Sequence, residues 1–351
     1  MRLALNLGHH AGAGNPAEHR ALAQAAERLG YVSVWVAEAY GSDAATVLAW
    51  LAAHTDRIGL GSAIMQIPAR TPAMTAMTAA TLDLLSGGRF HLGLGVSGPQ
   101  VSEGWHGAAF GQPMARTRDY VGIVRQALRR EKLAHPGPHY PLPRPGGEGK
   151  PLRMSLHPPR ADVPVYLAAV GPRSLELAGE LADGWLAAFC SPEHTRDSLL
   201  HVAAGRSTAG RDLAGFDVVP TVPVVIGDDV EACARAVRGY AALYLGGMGS
   251  RTTNFYHRHA TRMGFGTAVD RVQDLYLAGR RTEAAAAVPV DLIDATSLLG
   301  PQARITRGLD AYARAGVTTL AACLFDRGTA ARVDTLERLA VAAASLGADV
   351  P

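Results

Sequence analysis

The sequence has few cysteines and little excess charge of either sign. Its 351 residues include only 3 cysteines, and the formal net charge is only +3, whereas 48% of the residues are hydrophobic. Cys190, Cys233 and Cys323 lie far apart, in apolar or helical surroundings, without the CxxC spacing of redox or zinc motifs. We interpret them as buried, reduced thiols.

Lysine is scarce too, because only Lys132 and Lys150 occur among scattered arginines. A nucleic-acid-binding surface needs clustered cations, which the sequence does not show. No apolar run approaches the ~18 residues of a membrane span, and Met1-Arg2 leads into a strand-like run instead of a signal peptide. The sequence has no HExxH motif or other metal-ligand spacing. We expect a cytoplasmic protein that binds a small-molecule substrate, without nucleic acid, membrane or metal.

The stretch 58–105 shows how the chain is organised. Segments 58–64 and 90–96 are short apolar runs without helical periodicity, which predicts buried strands. Between them Thr71 and Pro72 suit the start of a helix, and apolar residues follow at helical spacing up to Ser86. In such strand-helix-strand units, ligands bind beyond the carboxyl ends of the strands.

Repetition of this unit predicts the fold class. We expect strands at 2–7, 33–36, 58–64, 90–96, 163–169, 183–187, 217–226 and 317–325, with helices between them. Eight alternating pairs favour an α/β fold of the (β/α)8 TIM barrel type over an open doubly wound sheet. We expect residues 1–351 to form a single domain with two insertions. These are a Pro/Gly-rich excursion at about 135–164 and a helical insertion without strands at about 229–299.

Five motifs carry a resemblance to a known family. They are Trp35 through Gly41 (WVAEAYG), Gly61 through Pro68 (GSAIMQIP), Leu82 through Arg89 (LDLLSGGR), Gly93 through Gly104 (GLGVSGPQVSEG) and Ala182 through Trp185 (ADGW). Together they resemble the luciferase-like monooxygenase superfamily, and within it the oxidoreductases that use the deazaflavin coenzyme F420. The resemblance covers nearly the whole chain in order. It implies a bacterial-luciferase-like barrel with a flavin-like tricycle across its mouth.

The resemblance implies that part of the cofactor site follows the third and fourth strands. A bulge with a non-prolyl cis peptide would fall at Ala63-Ile64. There the small Ser62 and Ala63 would permit close approach of the backbone to a flat ring, and Ile64 would supply an apolar wall. The fourth strand leads into Val96, Ser97 and Gly98, whose amides and hydroxyl would face the cofactor.

A phosphate site is expected after the fifth strand. Ala169 ends that strand, and Gly171, Pro172 and Arg173 open a helix whose free amides and positive end suit a phosphate. A tight turn without a ligand is the alternative. Coenzyme F420 and FMN each carry one phosphate, so this site does not distinguish them.

Three residues at strand ends are candidates for proton transfer. Glu38 follows the second strand, where the family often has an acidic residue that contacts the deazaflavin. His9 and His106 follow other strands, and histidine exchanges protons near neutral pH. His10 is a further possibility. The alternatives are a surface carboxylate for Glu38 and solvated or orienting roles for the histidines.

Three functions remain open from the sequence. The first is hydride transfer between coenzyme F420 and a small organic substrate, in which the ring supplies the redox chemistry. The second is an FMN-dependent two-component monooxygenase, and the third is a catalytically silent flavin-binding protein. Sugar-phosphate dehydrogenases of this branch look like having Asp-His after the second strand and a Glu in the loop after the fourth, where this sequence has Glu38-Ala39 and Gly98. Methylene-tetrahydromethanopterin reductases tend to have an acidic residue in the first strand, where this sequence has Asn6. We also expect a homodimer.

Overall fold

Eight parallel strands close into a barrel in the computed structural model, which describes residues 1–8 and 15–347. The strands are β1 (Arg2–Asn6), β2 (Ser33–Val36), β3 (Gly59–Ser62), β4 (Met65–Gln66), β5 (Phe90–Gly95), β6 (Val165–Ala168), β7 (Gly184–Ala188), β8 (Asp217–Ile226), β9 (Leu298–Gly300) and β10 (Thr319–Leu324). The barrel order is β1-β2-β3-β5-β6-β7-β8-β10, and β10 returns to β1 with Thr319 opposite Arg2. This confirms the predicted (β/α)8 barrel.

Two short strands lie outside the eight. β4 continues the chain of β3 after a cis peptide at Ala63-Ile64, and it pairs with β5. β9 pairs with the end of β8, with Leu298 opposite Val224. The prediction of a helical insertion without strands was therefore wrong at Leu298 and Leu299. Three residues are too few to show the alternation or the length that marks a strand in a sequence.

Helices surround the barrel and fill the connections. They are α1 (Pro16–Arg28), α2 (Ala44–Ala52), α3 (Pro72–Leu85), α4 (Pro99–Gly104), α5 (Pro113–Leu128), α6 (Pro172–Leu181), α7 (Pro192–Thr208), α8 (Val230–Ala242), α9 (Phe255–Ala260), α10 (Gly266–Leu277), α11 (Arg281–Ala287), α12 (Val290–Ala295), α13 (Gln302–Arg314) and α14 (Thr329–Ala344). Many begin with proline, because its fixed φ suits the first turn and its missing N–H has no helical partner there. Thr71 caps α3 as predicted, since its hydroxyl accepts the Met74 amide at 3.2 Å.

The two predicted insertions differ in character. Residues 129–164, which the structure describes throughout, contain no helix and only an isolated bridge between His135 and Leu142. Residues 230–295 form helices α8 to α12, with π-helical turns at Leu243–Gly247 and Thr261–Phe265. The limits of a single domain stay a prediction.

Large rings fill the lower interior of the barrel. Trp35 is 1% exposed and packs edge-on against Tyr166, with ring centroids 5.0 Å apart, and His91 lies 5.7 Å from Tyr166. Gly61 and Gly184 give these rings room, because a Cβ at either position would overlap the Trp35 or Tyr166 ring. The interior of this fold is a packed core and not a pore, so a ligand is expected beyond the carboxyl ends of the strands.

Candidate active site

A cleft opens above this aromatic layer, and we call it the mouth cleft. The space that it encloses, open solvent at the mouth included, is about 610 Å³. Small and apolar residues from the strand ends form one set of lining residues, namely Gly8, Ala37, Ala63, Ile64, Ala168, Ala169, Val170, Leu186, Ala187 and Ala188. The other lining residues are polar or contain sulfur, namely Asn6, Thr221, Tyr240, Tyr244, Tyr256 and Cys323.

The bulge after β3 brings Ala63 and Ile64 to the cleft, as the resemblance implied. Ser62 does not face the cleft. It is fully buried, its hydroxyl donates to the Gly93 carbonyl at 2.8 Å, and it accepts from the Gly93 amide at 2.9 Å. Ser62 thus replaces ladder hydrogen bonds where β3 turns away from β5. Its expected role, a small residue that lets the backbone approach a flat ring, stays a prediction. Gly95 makes space for the Ile64 side chain, since an added Cβ would lie 2.9 Å from Ile64 Cδ1.

The loop after β5 is held by Gln66. Ser97 has a positive φ of 59°, and its hydroxyl accepts from Gln66 Nε2 at 3.0 Å. Gly98 is partly buried, and an added Cβ there would lie 3.6 Å from the Met248 carbonyl. Neither Ser97 nor Gly98 lines the mouth cleft, whereas Val96 lines a neighbouring one.

This second cleft, which we call the side cleft, joins the mouth cleft at Ala168, Ala169 and Val170. Its other lining residues are Gly95, Val96, Met114, Thr117, Leu167, Gly171, Ser174, Leu177 and Phe255. It therefore contains the start of α6, where the phosphate site was expected.

The first turn of α6 has amides that its own helix cannot use. Pro172 has no N–H, so the next amides are those of Arg173 and Ser174. The Ser174 hydroxyl accepts from the Gly171 amide at 3.1 Å and donates to the Gly171 carbonyl at 2.8 Å, which fixes the turn. Pro172 and Arg173 are exposed, and Arg262 donates to the Val170 carbonyl at 3.0 Å nearby. Free amides, a positive helix end and two cations suit a phosphate.

Glu38 lies at the centre of a closed ion-pair network. The residue as a whole is 9% exposed, and its carboxylate accepts two hydrogen bonds from Arg70, at 2.7 and 2.8 Å. It also accepts the backbone amides of Gln66 at 3.1 Å and Ala44 at 3.2 Å. Arg70 pairs with Asp43 as well, and its hydrogen bonds with Glu38 raise the pKa of the guanidinium. A carboxylate has about four acceptor positions, and these four donors occupy them, so the geometry favours a positioning role over proton exchange.

His106 belongs to the same network through Gln66. Its Nε2 lies 2.8 Å from Gln66 Oε1, an acceptor, so Nε2 carries a proton in this arrangement. The ring is partly buried, and no side chain or backbone group within residues 1–8 and 15–347 forms a hydrogen bond with Nδ1. His9 and His10 lie outside the described residues. As acid-base residues, Glu38, His9 and His106 stay predictions.

Three tyrosines of the helical insertion were missed by the sequence-based analysis. Tyr240 lies on α8, Tyr244 on the following π-helical turn, and Tyr256 on α9. Their rings pack together, with centroids 4.7 Å apart for Tyr240 and Tyr244 and 4.8 Å for Tyr244 and Tyr256. Phe189 stacks on Tyr240 at 5.3 Å. The i,i+4 spacing of Tyr240 and Tyr244 was the available signal, but it does not distinguish a cleft wall from a core stripe.

With this geometry in view, comparison with known proteins identifies the family. Residues 3–319 match the luciferase-like monooxygenase family, and the chain belongs to it. A Mycobacterium tuberculosis protein, provisionally named as a coenzyme F420-dependent oxidoreductase, is 45% identical over 327 residues, covering 91% of this chain and 94% of that protein. The 5,10-methylenetetrahydromethanopterin reductase of Methanolobus tindarius is 32% identical over 226 residues, 64% of this chain and 66% of the reductase.

Solved structures agree on the fold. The coenzyme F420-dependent tetrahydromethanopterin reductase of Methanopyrus kandleri superposes with a TM-score of 0.73 at 22% identity, covering 97% of this chain and 96% of the reductase. The predicted family and fold are confirmed. The predicted enzyme class and cofactor agree with the names that these relatives carry.

Two further observations concern ligands and membranes. Within residues 1–8 and 15–347, no three His, Cys, Asp or Glu side chains are grouped to hold a metal ion. None of the helices in the same ranges combines the length and apolarity needed to cross a membrane. The predicted homodimer and cytoplasmic location stay predictions.

Proposed function

We propose that this protein is a coenzyme F420-dependent oxidoreductase that moves a hydride between the deazaflavin and a small organic substrate. The observation that carries the proposal is the mouth cleft, in which a bulge at Ala63-Ile64 and a row of small residues border an open space at the carboxyl end of the barrel. The similarity to F420-dependent oxidoreductases over most of the chain supports this cofactor over FMN.

The residues present suit such a cofactor. Ala63, Ile64 and Ala169 would hold a flat ring, because side chains of this size leave a planar space free. The start of α6 at Gly171, with the Arg173 and Ser174 amides, would hold the phosphate. Bound there, coenzyme F420 would accept or donate the hydride, and the protein would orient it and exclude water.

Polar residues of the network would fix the loops around the cofactor. Glu38 binds Arg70 and the backbone of Gln66, and the Gln66 side chain binds both Ser97 and His106. We assign Glu38 a positioning role, because its acceptor positions are occupied. His106 Nδ1 has no hydrogen-bond partner in the described part of the chain, and His106 remains a candidate for proton transfer, together with His9.

The cofactor assignment can be tested by titrating the purified protein with oxidised coenzyme F420 or FMN and following ring fluorescence. We expect coenzyme F420 to bind at least ~10-fold more tightly, a difference of ~1.4 kcal/mol. Gly122→Val on the exposed face of α5 provides a control that should change neither affinity. Tighter binding of FMN together with oxygen-dependent turnover would contradict the proposal and favour a monooxygenase.

A further inference from the structure

The described lining of the mouth cleft has no charged side chain, and this indicates which class of substrate can bind there. Its lining residues within the described parts of the chain include no Asp, Glu, Lys, Arg or His. Residues 9–14 lie outside the described parts of the chain, and their sequence contains two histidines and no other ionisable residue. An ionised group that enters such a site loses water without gaining a counter-ion, and this is strongly unfavourable.

The tyrosines of the cleft act as neutral groups. Burial raises the pKa of Tyr240 and of Tyr244 well above the usual value, and that of Tyr256 to about 12. All three hydroxyls therefore keep their protons at neutral pH. Tyr240 and Tyr244 are only 7% and 9% exposed, so the parts of the three rings that line the cleft offer a small apolar surface for stacked or edge-on contact with another planar group.

Thr221 supplies a directed polar contact. Asn6 Oδ1 accepts the Gly8 amide at 2.8 Å, which leaves Asn6 Nδ2 to donate to the Thr221 hydroxyl at 2.9 Å. With its oxygen engaged as an acceptor, the Thr221 hydroxyl can still donate its own hydrogen. No acceptor for that hydrogen exists among the described residues, and Thr221 is partly exposed to the cleft.

From this arrangement we propose that the substrate is an uncharged, planar or aromatic molecule whose oxygen or nitrogen acceptor binds the Thr221 hydroxyl while its ring packs against Tyr240, Tyr244 and Tyr256. The inference rests on the proposed function, because it assumes that the mouth cleft holds the substrate beside the coenzyme. It assigns specificity to Thr221 and to the three tyrosines.

Charge can be tested with two probes of nearly equal size, 4-acetylbenzamide and 4-acetylbenzoate. Calorimetric titration at pH 8, where histidine is neutral, would measure their binding to the protein alone and to the protein saturated with coenzyme F420. We expect the neutral amide to bind at least ~10-fold more tightly than the carboxylate. Equal or tighter binding of the carboxylate, or no measurable binding of the amide, would overturn the proposal.

The hydroxyl contact has its own matched variants. Thr221→Val keeps the shape but removes the donor, and we expect ~5-fold weaker binding of 4-acetylbenzamide, the effect of one hydrogen bond. Thr221→Ser should bind within ~2-fold of the original protein, because the donor is retained. Thr208→Val, at the exposed end of α7, should bind like the original protein. Equal affinity of Thr221→Val and Thr221→Ser would refute the role of Thr221.

The titrations also separate this inference from the proposed function. Loss of the preference for the amide while coenzyme F420 still binds would refute only the substrate class. Failure of coenzyme F420 to bind, with the preference intact in the protein alone, would refute the cofactor assignment and leave the neutral character of the cleft supported.

Discussion

Replacing Glu38 by Gln tests whether this residue holds the active-site loops or transfers a proton. The side chain keeps nearly the same size, but the negative charge that faces Arg70 is lost. Gln offers one oxygen in place of two, and its NH2 group would point at a donor of Arg70 or at a backbone amide. Arg70 would keep its ion pair with Asp43.

The structure sets the size of the effect. The Glu38 and Arg70 side chains are 7% and 17% exposed, so water screens their attraction weakly. Removing one partner of a buried pair costs ~3–5 kcal/mol. We expect a loss of ~3 kcal/mol in the free energy of unfolding, at the lower end because Asp43 still compensates Arg70.

Urea unfolding measured by circular dichroism would give this free energy, with turnover at saturating coenzyme measured in parallel. Glu283→Gln is the matched control, because Glu283 forms an exposed ion pair with Arg280. The unfolding midpoint of this variant should equal that of the original protein. The positioning role predicts a large loss of stability. An unchanged midpoint with turnover reduced ~100-fold would instead show that Glu38 transfers a proton.

Three further predictions follow from buried or unpaired groups. Gly171→Val should weaken binding of coenzyme F420 in a fluorescence titration without lowering the melting temperature, because a Cβ there would meet only the Ser174 hydroxyl, at 4.0 Å, and would partly cover the start of α6. Ser62→Ala should lower the free energy of urea unfolding by ~2–3 kcal/mol, since both backbone groups of Gly93 lose their partner. Burial lowers the pKa of His91 and of His259 from 6.5 to about 4. The unfolded chain therefore binds protons first as the pH falls, and stability should be retained above pH 6.5 and decline from 6.5 to 4. His259→Gln should make this decline smaller in urea unfolding, and an unchanged decline would contradict the assignment.

Local patterns were sufficient to predict most of the barrel. Strands of four or more residues appear as apolar runs, and the longer helices show their periodicity. Pro72 and Pro172 mark helix starts through the fixed φ of proline. The break between β3 and β4 was predicted from the family resemblance alone, because residues 58–64 form one apolar run in the sequence. β9 was missed because its three residues show no pattern.

The side-chain partners in the site could not be predicted in the same way. Arg70 lies 32 positions from Glu38, and His106 lies 40 positions from Gln66, so only the fold brings them together. From sequence alone, a carboxylate after a strand is a candidate acid or base. Only the structure shows that donors occupy the acceptor positions of Glu38. The packing of Tyr240, Tyr244 and Tyr256 likewise depends on the π-helical turn, which the sequence did not reveal.

The charged side chains beside the mouth cleft pair with one another, so we expect substrate specificity to come from neutral groups. Glu38, Arg70 and Asp43 satisfy one another beside the cleft, and Gln66 extends their network to Ser97 and His106. Charges that are engaged in this way fix the loops but offer little to a ligand. Among the described residues, hydroxyl groups, aromatic rings, the Asn6 amide and the Cys323 thiol remain at the cleft surface, and they recognise shape and hydrogen-bonding groups instead of charge. A scaffold held by internal ion pairs therefore leaves a neutral cleft, and the benzamide and benzoate probes test this consequence directly.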